Sequence, residues 1–110
     1  MALIGVITCD PNPPGVDLDR WRRIVVENSQ LRREPPRDVI NPFTGKPAAH
    51  IPLDTDGQIC IDGSVVGAIG ISLSGEGDLD VWSGDDDRVK VESIARAVAV
   101  ELGGIYTPLP

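Results

Sequence analysis

The chain has 110 residues, with 41% apolar and 25% charged residues. That is the make-up of one globular domain spanning 1–110, and it excludes a disordered chain, a collagen and a coiled coil. No run approaches the roughly 18–20 apolar residues of a membrane span, and a formal net charge of −7 has the wrong sign for a nucleic-acid footprint.

Residues 2–8 (ALIGVIT) form a short apolar run rich in β-branched side chains, the pattern of a strand buried on both faces. No basic region precedes it and no cleavage site follows. It therefore reads as a strand rather than a signal peptide, and a cytoplasmic location follows as the expectation. There Cys9 and Cys60 stay reduced and act as small apolar residues, with a disulfide between them as the alternative. The prolines and glycine between Asp10 and Gly15 end the strand. Asp17 is placed to cap a helix in which Leu18, Trp21, Ile24 and Val25 share one face, with Leu31 beyond its end at Asn28-Ser29.

A polar connector, 30–37, leads to a hairpin whose turn is Asn41-Pro42-Phe43-Thr44-Gly45-Lys46-Pro47, with Gly45 at positive φ. Its prolines point to a sheet edge. Asp54-Thr55-Asp56-Gly57 is a second turn. Strands 58–61 and 65–73 flank the hairpin signal Asp62-Gly63. Gly67 and Gly70 inside the second strand predict a bulge or a close backbone approach. After a turn at 74–77, residues 78–82 (DLDVW) alternate as a half-buried strand. Ser83 to Asp87 open a last helix, where Val91, Ile94, Ala95, Val98 and Leu102 share a face before the stop at Gly103-Gly104. Residues 105–107 are an extended tail, which Pro108 and Pro110 keep short. The predicted fold is α+β, an antiparallel sheet with two amphipathic helices packed on one face in the order β-α-β-β-β-β-β-α.

Most site chemistries fail on residue type or spacing. His50, the sole histidine, stands mid-strand without an acidic or cysteine ligand at a suitable spacing. Cys9 ends a strand where nucleophiles often sit, but nothing near it in sequence lowers its pKa. Counted from Asp54, a calcium loop would need glycine at Ile59 and glutamate at Val65. Gly45-Lys46 lacks the rest of a phosphate-binding loop, and the glycines from Gly67 to Gly77 do not have dinucleotide spacing. No cofactor, metal or catalytic residue is expected.

Charge is the remaining signal. Residues 51–110 hold eleven acidic and three basic residues, net −8, whereas 1–50 are net +1. Asp78, Asp80, Asp85, Asp86 and Asp87 lie within ten residues of one another, with Trp82 among them. Some of these carboxylates serve the helix dipole or solvation. As a group they also make an acidic rim around an aromatic anchor, suited to a cationic protein partner. Phe43, at a turn tip between two prolines, is a second candidate anchor.

Three segments, Asp17-Leu18-Asp19-Arg20-Trp21 with Leu31, the turn from Asn41 to Pro47, and the helix end Glu101-Leu102-Gly103-Gly104, resemble a loose group of small bacterial proteins. In size and charge these are similar to immunity proteins of toxin systems. The resemblance lies in element order more than in identity and transfers no functional residue. The expected function is a non-catalytic binding domain, an immunity-type inhibitor that occludes a basic toxin through the acidic patch. A homo-oligomeric adaptor, self-associating through Phe43 or the sheet edges, is the alternative.

Overall fold

The computed structural model describes residues 1–9, 15–72 and 77–110. In chain order these form β1 (Ala2–Thr8), α1 (Leu18–Glu27), β2 (Leu31–Arg33), β3 (Arg37–Ile40), β4 (Pro47–His50), β5 (Gly57–Ile61), β6 (Ser64–Ile71), β7 (Leu79–Ser83), α2 (Arg88–Leu102) and β8 (Ile105–Pro108). The expected proline-rich break at 10–14 and most of the turn at 74–77 lie outside the described residues.

One antiparallel sheet has the order β2-β5-β6-β7-β1-β8, and β3 and β4 form a separate two-stranded hairpin. Alternation decides which side of the large sheet is covered. Ile59, Ile69, Leu79, Val81 and Ile7 point inward and are fully buried, together with Trp21, Val91, Ala95 and Val98 from the helices. Both helices thus cover one face, and the α+β architecture is as the periodicities imply. Glycines permit the closest contacts. A Cβ on Gly57 would lie 3.2 Å from Val25 and 3.3 Å from Trp21, and one on Gly67 would lie 2.5 Å from the Trp82 carbonyl oxygen and 2.9 Å from Val91.

Local chemistry sets the ends. The Asp17 carboxylate accepts from the backbone N–H groups of Asp19 (3.1 Å) and Arg20 (3.2 Å), capping α1. Asp62 (φ 51°) and Gly63 (φ 80°) make the tight turn between β5 and β6. Gly103, left-handed at φ 71°, ends α2. Cys9 is buried under that end, where its thiol donates to the Leu102 carbonyl at 3.7 Å, and no disulfide joins it to Cys60.

Three features depart from the expectation. The connector contains β2, where Leu31 pairs with Ile59 and Arg33 with Gly57. The tail is a true edge strand, β8, paired to β1 from Gly5↔Pro108 to Thr8↔Ile105. The proline-flanked hairpin is not a sheet edge. Arg37↔His50 through Ile40↔Pro47 pair only with each other, so β3–β4 is a separate arm whose residues are almost all exposed.

Candidate functional site: an acidic groove on the open sheet face

Among the described residues, the face turned away from the helices is half-exposed. Its side chains come from the alternate strand positions: Gln58 on β5, Ala68 and Gly70 on β6, Asp80 and Trp82 on β7, and Leu3 and Val6 on β1. Register aligns them in rows, with Ala68 opposite Trp82 and Gly70 opposite Asp80, and then Leu3 opposite Trp82 and Val6 opposite Asp80. Small residues on β6 beside large ones on β7 leave a hollow. The result is a groove of about 250 Å³ with Ala68 and Gly70 as floor, Trp82 and Asp80 as one wall, and Glu34 and Asp56 at the rim.

Two rim residues come from loops that the core holds in place. Trp21, fully buried in α1, donates its indole N–H to the Thr55 carbonyl at 2.7 Å. Arg22 on the same helix pairs with Asp54 at 3.1 Å. These two contacts fix the turn that carries Asp56, whose carboxylate is aimed over the floor: a Cβ added to Gly70 would lie 2.6 Å from Asp56 Oδ1. Glu34 directly follows β2, so the pairing of Arg33 with Gly57 brings it to the same rim. Across the strands, Arg32 Nε donates to Gln58 Oε1 at 2.9 Å, which orients that amide.

The groove concentrates negative charge. Glu34, Asp56 and Asp80 take part in no ion pair among the described residues. Partial burial raises the Asp56 carboxyl above its ordinary range. The like charge of Glu34 adds to this, against a backbone hydrogen bond from Leu53 and the charge of His50. A cation in the groove would relieve that repulsion and lie beside the Trp82 indole that lines it, the aromatic ring type that attracts cations most strongly. Among the described residues no group of three His, Cys, Asp or Glu side chains is placed to hold a metal ion.

Of the residues singled out in the sequence, Asp80 and Trp82 come together here. The others do not join them. Asp78 lines a separate cavity beside the start of α1, with Asp17, Leu18 and Ile71. Asp85 and Asp86 are exposed in the turn before α2, just past the C-terminal end of β7, and Asp87 is the N-cap of α2 without a side-chain capping bond. Phe43 stands at the tip of the β3–β4 arm, 95% exposed. His50 is on that arm, far in sequence from the buried Cys9 and exposed. Glu34, Asp56, Gln58 and Gly70 were not anticipated as site residues. Within the described residues no helix is long and apolar enough to cross a membrane. No known protein family, curated protein or solved structure matches the chain.

Proposed function

We propose that this chain is a non-catalytic, cytoplasmic protein-binding domain that takes a basic segment of a partner into the acidic groove and occludes it, in the manner of an immunity protein against a cationic toxin. One observation carries the reading: Glu34, Asp56, Asp80 and Trp82 line one groove on the sheet face turned away from the helices. Charge of one sign focused in a hollow speeds encounter with the opposite charge and rejects like-charged surfaces. The indole adds about 0.5–2 kcal/mol for a lysine or arginine laid across it. The net charge of −8 on residues 51–110 extends the same preference beyond the groove.

Titration calorimetry with an arginine-rich peptide tests the proposal. The expected result is salt-sensitive binding that weakens at least about tenfold in Glu34→Gln/Asp80→Asn and in Trp82→Ala, in line with the loss of a charge pair or a hot-spot aromatic. Equal affinity in wild type and both variants would overturn it.

A further inference from the structure

The β3–β4 arm bears the chemistry that the groove accepts. Every residue of β4 is exposed, and of β3 only Val39 is half-buried. The tip is nevertheless well defined. Asn41 N–H donates to the Lys46 carbonyl at 2.9 Å, Gly45 N–H to the Asn41 carbonyl at 2.8 Å, and Phe43 N–H to the Asn41 side-chain oxygen at 2.9 Å. This turn presents an exposed phenyl ring and, three residues on, the Lys46 ammonium, which enters no ion pair among the described residues. A preorganised tip loses little entropy on docking.

The arm is also rooted at the groove. Glu34 lies three residues before β3 and Asp56 six residues after β4, and both are rim residues. With Phe43 95% exposed, the tip does not occupy the groove of its own chain. Two copies related by a two-fold axis can lay their arms side by side and antiparallel, which brings each tip to the root of the other arm and so to the other groove. An isologous contact of this kind forms every interaction twice. The register puts Ile40 (64% exposed), Pro47 and Ala49 on one face of the hairpin with Asp38 opposite Ala49, a surface apolar toward the tip and acidic toward the root for the arms to share.

We infer that two copies of this chain exchange arms, the Phe43–Lys46 tip of one seating against Trp82, Glu34 and Asp80 of the other. The inference rests on the reading of the groove as a receptor for a basic segment, and adds its regulation: a partner must displace the arm of the second copy. Both copies carry −7, so the attraction is the local match of tip and groove rather than overall charge.

Sedimentation equilibrium on the full chain, from low micromolar to millimolar concentration, tests it. Wild type is expected to dimerise, and Phe43→Ala, Lys46→Glu and Asp80→Lys each to weaken the dimer at least about tenfold. An equimolar mixture of Lys46→Glu and Asp80→Lys chains is the sharper arm. Each variant repels itself, but the mixed pair restores an opposite-charge contact at both tips, so dimer must return. That recovery also shows that the variants are folded. A monomeric wild type at millimolar concentration, a dimer indifferent to Phe43→Ala and Lys46→Glu, or a mixture that stays monomeric overturns arm exchange. Titrating the arginine-rich peptide into the Lys46→Glu chain separates the two claims. Binding there without a wild-type dimer leaves the groove reading standing and removes the exchange. A dimer that no peptide displaces keeps the exchange and removes the partner-binding reading.

Discussion

Two glycines on β6, three residues apart, make opposite predictions. Gly70 faces the groove, and what a methyl group would meet there is the end of the Asp56 side chain, 2.6 Å away. A carboxylate can swing aside. Gly70→Ala is therefore expected to change stability by less than about 1 kcal/mol while it displaces Asp56 and weakens peptide binding. Gly67 faces the helices, where a methyl group would meet the Trp82 carbonyl oxygen at 2.5 Å and Val91 at 2.9 Å. Backbone and packed core cannot yield, so Gly67→Ala is expected to cost more than about 2 kcal/mol. Urea midpoints for the two variants, read with the peptide affinity of Gly70→Ala, check the pair. Asp56 adds a pH signature. Its carboxyl is raised by burial and by Glu34, so the native state holds the proton more tightly than the unfolded chain. The stability this contributes is present in acid and is lost as pH rises through the raised value. Asp56→Asn should then raise the melting temperature slightly at neutral pH, and the gain should vanish below the ordinary aspartate range. A variant less stable than wild type at neutral pH would contradict this.

At the scale of elements, the arm adds nothing to the core. None of its residues belongs to the buried cluster, and its strands pair only with each other. Replacing 37–50 by a short glycine-serine linker is expected to shift stability by no more than about 1 kcal/mol, because a changed loop length alone costs little. A thermal melt of the shortened chain measures it, and a loss of several kcal/mol would mean that the arm supports the fold. The same element shows what was legible in the sequence. Its turn was, because Pro, Gly and Asn act locally. Its detachment from the sheet was not, because strand pairing depends on residues far away in the chain. Leu31-Arg32-Arg33 has no strand pattern of its own and becomes β2 only through Ile59 and Gly57. The site divides in the same way. Alternation along Asp78–Trp82 already turned Asp80 and Trp82 to one side. Glu34 and Asp56 reach that side only through the pairing of β2 with β5 and the Trp21–Thr55 hydrogen bond, neither of which leaves a trace in local spacing. Clustering in sequence is not the same as sharing a face: Asp85, Asp86 and Asp87 are neighbours of Trp82 along the chain but lie in the turn beyond the end of its strand.

The molecule closes on itself where its two ends meet, and Tyr106 is the clasp. Its strand, β8, pairs with β1. Its ring lies over Gly5, where any side chain would overlap the phenol. Its hydroxyl reaches Glu92 of α2 at 2.9 Å and the Ile4 carbonyl at 3.4 Å. Arg96 stacks on the ring, 5.1 Å from its centre. One side chain thus joins the first strand, the last strand and the last helix. Burial and the Glu92 carboxylate push its pKa up from 10.0 to about 12, with Arg88 and Arg96 opposing. The phenol must keep its proton to donate to Glu92, and an ionised Tyr106 would repel that carboxylate. Because the folded value lies above the unfolded one, this contribution to stability is complete below pH 10.0 and is lost as pH rises toward about 12. Tyr106→Phe keeps the ring, its packing on Gly5 and its contact with Arg96, and removes the donor. At neutral pH it should cost about 1–2 kcal/mol, since the Glu92 carboxylate loses a hydrogen-bond donor. In alkali the order should change. Wild type weakens through the tyrosine titration, whereas the variant has no proton to lose at this position, so the gap between them narrows. Denaturant midpoints for both chains, at neutral pH and again near pH 11, decide the point. Equal midpoints for the two chains at neutral pH would show that Tyr106 holds the ends together by ring packing alone, and a gap that stays constant into alkali would show that the hydroxyl keeps its proton there.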